Sequence, residues 1–269
     1  MLPERMAIRR DAFPRRYGAW AVIAGASEGL GAAFAESLAA RGLSLVLLAR
    51  RAELLEALAS KLRTSHGVEV RPVACDLADP SFADALSGAT SDVEVGVAIY
   101  NAAYSFVAPL FERPLADALR VVDVNVRAPL VFLHTLVPPM IARGRGAVVL
   151  MSSLAGFQGS PKLAAYAASK AFDTILGESL WAELAPKGVD VITSCAGAIR
   201  TPGYAKALQK EAPGTLDAPE VAERTLAALG RGPVVIPGAT NKLASQLLRR
   251  LLSRKSAIGI MGRSVSGLE

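Results

Sequence analysis

The chain has 269 residues, 52% of them hydrophobic and 20% charged, with a formal net charge of +6. That balance excludes a disordered chain and supplies enough apolar mass for one large α/β domain. The positive charge sits at the ends, with five arginines in residues 1–16 and six basic residues in 241–269; the body between is slightly acidic, so no nucleic-acid partner is expected.

Strand and helix patterns alternate along the chain. AWAVIAG (19–25) reads as a strand, followed by a helix from Leu30 to Arg41 with Leu30, Phe34 and Leu38 at helical spacing. LSLVLLA (43–49) is a second strand, and Leu54, Leu55, Leu58 and Leu62 line one side of a helix from Glu53 to Arg63. VEVRPVAC (68–75) is a third strand, with a helix starting near DLADPSFADAL. Further strands are VEVGVAIYNA (93–102), GAVVLMSS (146–153), VDVITSCAG (189–197) and PVVIPG (233–238), with helices near 114–142, 163–185 and 218–229. Such alternation specifies a parallel sheet of about seven strands with helices on both faces, a doubly wound Rossmann fold. Ligands of such sheets bind beyond the carboxyl ends of the strands, so each motif is judged by whether it follows a strand.

The expected organisation is a basic arm over 1–16, one domain over 17–240, and a basic extension over 241–269. No apolar run reaches the roughly 18 to 20 residues that span a bilayer, and the first residues lack an apolar leader core, so the chain reads as soluble and cytoplasmic. Cys75 and Cys195 end apolar runs and read as small buried hydrophobes. His66 reads as isolated and His134 as a packed helix residue; nothing has metal-ligand spacing.

The first strand runs into GASEGLG (25–31), where Gly25, Gly29 and Gly31 permit a tight turn and close approach of a pyrophosphate to a helix start. The second strand ends in Ala49, Arg50 and Arg51 with no acid before Glu53; arginine there suits a ribose 2′-phosphate and favours NADP(H). Asp76 either meets the adenine amine or starts a helix. Later strand ends carry YNAAY (100–104), MSSLAG (151–156) and AGAIRTP (196–202), and Asn125 is a polar residue in an apolar helix that needs a partner or a water. Tyr166 and Lys170 lie one helical turn apart.

Together GASEGLG, Asn101-Ala102, Asn125, Ser153, Tyr166-x-x-x-Lys170 and Gly197 to Pro202 resemble the short-chain dehydrogenase/reductase family, in its order and spacing over residues 17–238. GPVVIPGATNKL is similar to members that reduce 3-ketoacyl and 17β-hydroxysteroid ketones. The resemblance implies Tyr166 as general acid/base, Lys170 as holder of the nicotinamide ribose, Ser153 rather than Ser152 as the residue orienting the carbonyl, and Asn125 as anchor of a water. It implies cofactor contacts from Ser27, Glu28, Leu30, Leu77, Asn101, Ala102, Ala103, Gly197, Ile199 and Thr201, beside the glycines, arginines and Asp76 named above. Ala103 and Ala196 stand where the family often has glycine and proline. The physical chemistry agrees: a free phenol with a pKa of about 10 is a poor base, and a neighbouring cation favours its ionised form.

Tyr104, Phe106, Leu154, Phe157 and Tyr204 make an apolar, aromatic set without a clamp for an anion, which implies a hydrophobic ketone or aldehyde substrate. Segment 202–216 reads as a lid, whose Arg200, Lys206 and Lys210 are taken as solvated charges. NKLASQLLRRLLSRK (241–255) reads as one amphipathic helix, packed on the body or a second subunit, with an anionic membrane surface as the alternative. A dimer or tetramer is expected. The rival functions are a sugar-nucleotide epimerase or dehydratase, and a non-catalytic NADP sensor.

Overall fold

The computed structural model describes residues 12–202 and 211–265. Seven strands form one parallel sheet in the order β3-β2-β1-β4-β5-β6-β9, with β1 Trp20–Ala24, β2 Ser44–Ala49, β3 Val70–Ala74, β4 Val95–Tyr100, β5 Gly146–Ser153, β6 Val189–Ala196 and β9 Val234–Val235. The order reverses between β1 and β4, which opens a crevice at the carboxyl ends of these two strands. Two-residue β7 (Ile199–Arg200) and β8 (Leu216–Asp217) pair separately. The expected 233–238 strand keeps only two residues, because Pro233 and Pro237 bracket it and neither can donate to the ladder. Pro72 is accommodated because β3 is an edge.

The central strands bury both faces. In β1, Ala21 and Ile23 join the core under α2 (Gly29–Ala40), α3 (Ala52–His66) and α8 (Ala218–Ala227), while Val22 and Ala24 join the opposite core under α4 (Phe82–Thr90), α6 (Ala128–Arg143) and α7 (Ala164–Leu184). Phe34 and Phe132, fully buried on the two sides, each contribute about 1.5–3 kcal/mol of transfer free energy. Helix α1 (Ala12–Tyr17) also belongs to the core: Phe13 and Tyr17 are buried, and Tyr17 donates to Asp190. A domain boundary at residue 17 therefore cuts this helix, and residues 1–11 lie outside the described ones.

Three local expectations change. The single helix over 114–142 is α5 (Leu115–Val122), a π-turn (Asp123–Arg127) and α6. Taken together, Leu115–Arg143 is long and apolar enough to cross a bilayer by length and composition; half of its most apolar window is buried in this fold. The helix over 241–255 breaks: α9 is Ala239–Arg250 and α10 is Arg254–Val265. Helix α9 turns Asn241 and Ser245 inward and leaves Leu243 and Leu247 60% and 46% exposed, so its leucine row does not pack on the body. Asn241 is the anchor: its amide donates to the carbonyls of Gly214 and Pro237. Among the histidines, His66 binds Glu36 at 2.6 Å, and His134 is exposed rather than packed.

Candidate active site

The turn after β1 is set by close backbone approach. Gly25 has φ +81, and a Cβ there would lie 2.6 Å from Ala102 Cα. A Cβ on Gly31 would strike the Gly25 carbonyl, so α2 can start this close to β1 only with glycine at 31. Asn101 holds the turn from the next strand, donating its side-chain amide to Gly25 O at 2.8 Å. At the start of α2, Glu28 makes no side-chain cap; its carboxylate pairs instead with Arg51 at 2.7 Å. The first amides of α2 are thus left to face the cleft, an anion site by backbone and dipole together.

That cleft has a volume of about 400 Å³. Gly25, Ser27, Glu28, Gly29, Leu30, Arg50 and Arg51 line its β1–β2 end, with Asp76 and Leu77 after β3. Gly31 lies behind the turn as a packing residue. Arg51 also donates to Ser27 at 3.1 Å, and Arg50 makes no salt bridge among the described residues. Asp76 starts a turn rather than a helix, since α4 begins only at Phe82. Its Oδ1 accepts from the Ala78 amide in a turn, its Oδ2 pairs with Arg120 at 2.7 Å, and it borders the cleft. Burial acts to raise its pKa, but the Ala78 amide and Arg120 outweigh burial and hold the carboxyl below its usual range. This end can hold a dinucleotide: glycine-made space, open helix amides and cationic side chains occur together.

The other end gathers Asn101, Ala102, Ala103, Tyr104, Ser153, Tyr166, Lys170, Gly197, Ile199 and Thr201. Ala103 is exposed there, so its methyl projects into space rather than into a neighbour. Gly197 has a structural reason: a Cβ would lie 2.8 Å from the Asn241 amide. The two serines divide. Ser152 Oγ is committed inside, donating to Lys170 O at 2.7 Å and bonding Thr174 at 2.8 Å, whereas Ser153 is half-buried at the cleft and accepts from the Ala155 amide. Tyr166 is half-buried, with the Lys170 ammonium 5.8 Å from its ring centre. Lys170 itself is buried, its Nζ donating to Met151 O and to Asp173.

Asn125 finds its partner without a water. The extra residue of the π-turn directs it inward, where Oδ1 accepts from Tyr104 N at 2.8 Å and Nδ2 donates to Tyr104 O and Ser169 Oγ. It is fully buried and fastens the Tyr104 loop rather than bordering the cleft.

The expected substrate residues scatter. Tyr104 borders the cleft. Phe106 lies under Arg113, and Leu154 is half-buried outside the lining. Phe157 stacks under Arg249 and faces a separate cavity between α7 and the C-terminal helices. Tyr204, Lys206 and Lys210 fall outside the described residues. Arg200 is exposed and pairs with Glu211 and Asp217.

Sequence reading missed Arg120, which borders the cleft, pairs with Asp76 and lies over the Tyr104 ring. No sequence signal marks it, since its place depends on α5 lying beside the loops that follow β3 and β4. Cys75 also borders the cleft, its thiol pushed up to about 11 by burial and by Asp76.

The short chain dehydrogenase family matches residues 19–212. A 7β-hydroxysteroid dehydrogenase of Collinsella aerofaciens is 33% identical over 233 residues, covering 84% of this chain and 89% of that one. A solved 7β-hydroxysteroid dehydrogenase structure superposes with a TM-score of 0.88 at 30% identity, over 93% of this chain and 98% of that chain. A short-chain dehydrogenase from Sphingobium yanoikuyae in complex with NADPH gives 0.77 at 30% identity, over 90% and 94%. With these matches falling on the cleft just described, the chain belongs to the short-chain dehydrogenase/reductase family of oxidoreductases.

Proposed function

We propose that the protein interconverts a hydrophobic ketone or aldehyde and its alcohol with NADP(H), with Tyr166 as general acid/base. One observation carries this reading: Ser153, Tyr166 and Lys170 border the same cleft as the glycine turn and the arginines after β2. The nicotinamide, when bound, supplies or takes the hydride. The chain supplies the rest. A carbonyl oxygen that receives hydride at its carbon gains negative charge, and the Tyr166 hydroxyl is placed to give it a proton. The Ser153 hydroxyl is placed to donate to the same oxygen. Lys170 brings positive charge beneath the phenol, and positioned acid/base groups of this kind contribute about 10² to 10⁴ in rate. Asn125 keeps the Tyr104 wall in register.

Arg50 and Arg51 support a preference for the 2′-phosphate, and one structural relative is complexed with NADPH. The hydroxysteroid relatives support a bulky alicyclic ketone as substrate. Exposed Leu115, Leu119 and Val122 on α5 and Ile175 on α7 support pairing of subunits through these helices. The outward leucines of α9, flanked by Lys242 and Arg250, suit a second subunit or an anionic membrane; sedimentation with liposomes before and after deletion of 241–269 separates the two.

Fluorescence titration with NADPH and NADH, followed by a panel of steroid and other hydrophobic ketones, tests the proposal. NADPH-selective binding and ketone-dependent oxidation that vanishes in Tyr166→Phe are expected. Binding without turnover across the panel would instead favour the sensor reading.

A further inference from the structure

The Lys170 ammonium sits in an ion pair that the acid/base scheme does not require. Its Nζ donates to Asp173 Oδ2 at 2.9 Å, and both side chains are 3% exposed. The same Nζ donates to the Met151 carbonyl at 2.7 Å. An ammonium has three donors, so one remains for the cleft that Lys170 borders. Among the described residues Asp173 pairs with Lys170 alone, and its Oδ1 is buried without any hydrogen bond.

A buried carboxylate with one bare oxygen is costly and calls for an explanation. Packing does not supply one, since an apolar residue would fill the same place on α7 at lower cost. The surroundings narrow the account. From β6, Cys195 faces Lys170, its thiol pushed up by burial. From β4, Tyr100 faces Asp173; burial pushes its phenol up, and its hydroxyl donates to Val124 O. Arg127 lies beyond Tyr100. Ser152 and Thr174 are neutral. Burial pushes the Asp173 carboxyl up and Lys170 pulls it back down, so Asp173 is the counter-charge that the pair itself holds against Lys170.

We propose that Asp173 is a positioning residue for the reaction: its carboxylate keeps the buried Lys170 ammonium charged and aimed, so that a cation stands beside Tyr166. This rests on the Tyr166–Lys170 reading above. Burial alone works to strip the proton from Lys170; the charge of Asp173, with that of Tyr166, outweighs burial and raises the ammonium pKa. In Asp173→Asn the amide can still accept from Nζ, but the counter-charge is gone. Lysines buried without one lose several pKa units.

The pH dependence of ketone reduction separates this role from packing. In Asp173→Asn, turnover near pH 6 is expected close to wild type, and its alkaline limb is expected to move toward acid by at least about one pH unit. A uniform loss of rate at every pH, with the limb in place, would overturn the proposal. Denaturation of wild type, Asp173→Asn, Lys170→Met and the double variant gives a readout without turnover. An unpaired Lys170 has its folded pKa below its unfolded one, so the Asp173→Asn deficit is largest near neutral pH and shrinks as pH rises. The double variant, with both charges removed, should recover most of that deficit; strictly additive losses would also overturn the proposal. Lys170→Met serves as the control on the premise. If it turns over like wild type, the reading of the site itself fails. If it is inactive while the Asp173→Asn limb stays put, the inference about Asp173 alone fails.

Discussion

The two ends of the cleft are charged in different ways. At the β1–β3 end the ion pairs are open to water: Arg51 with Glu28 and Asp76 with Arg120 all keep a third or more of their side chains exposed. At the α7 end the pair Lys170–Asp173 is sealed. Exposed pairs are screened and each contributes about 0–1 kcal/mol, so these side chains are free to vary with the ligand they select. A sealed pair is worth little as a pair, but removing one member leaves a bare charge and costs about 3–5 kcal/mol. One end is thus tunable and the other is constrained.

The sharpest test of this contrast is Tyr166→Phe, which should lower ketone turnover by about 10² to 10⁴ with NADPH affinity retained, read from steady-state rates and fluorescence titration. A loss of binding as large as the loss of rate would break the division of labour. Asn125→Ala should follow. It strands the Tyr104 amide and carbonyl, and should cost about 1–3 kcal/mol in the denaturation midpoint. Arg50→Asp should shift the NADPH-over-NADH ratio of kcat/KM by about tenfold or more toward NADH, without moving the thermal midpoint. The smallest effect belongs to Asp76→Asn, under about 1 kcal/mol at pH 7. Because the Asp76 carboxyl pKa is lowered in the fold, the stability it contributes is present above its unfolded value and disappears as pH falls through the folded one. The difference in denaturation midpoint between wild type and variant should therefore be largest at pH 7 and narrow as pH falls below about 4.

Much of this was legible because it follows from backbone geometry. Apolar strands buried on two faces announce themselves as runs, and all seven fell where those runs lie. GASEGLG was legible because Gly31 meets the Gly25 carbonyl, a demand that only one residue type satisfies. Tyr166 and Lys170 were legible by helical spacing, and Asp173, one turn on in an apolar stretch, carried the same signal unread. The π-turn at Asn125 left no trace, since one extra residue in a helical turn alters no hydrophobic period enough to notice. Arg120 was unreadable because its position depends on α5 lying beside the loops that follow β3 and β4. Helix α9 answers to only part of its reading. Its leucines suggested an inward face, yet Asn241 finds two carbonyls and the close-lying Gly197, and that specific fit turned the leucines outward.

Asn241 ties three distant stretches of chain into one knot of contacts: the exit of β6 at Gly197, the turn at Gly214, and Pro237 beyond the last strand. Ile199 and Thr201, which border the cleft, follow directly on Gly197. The C-terminal extension is therefore a clasp on the doorway rather than an appendage. A load on the tail, whether from a partner subunit or a fused tag, bears directly on the stretch that carries Ile199 and Thr201 into the cleft wall.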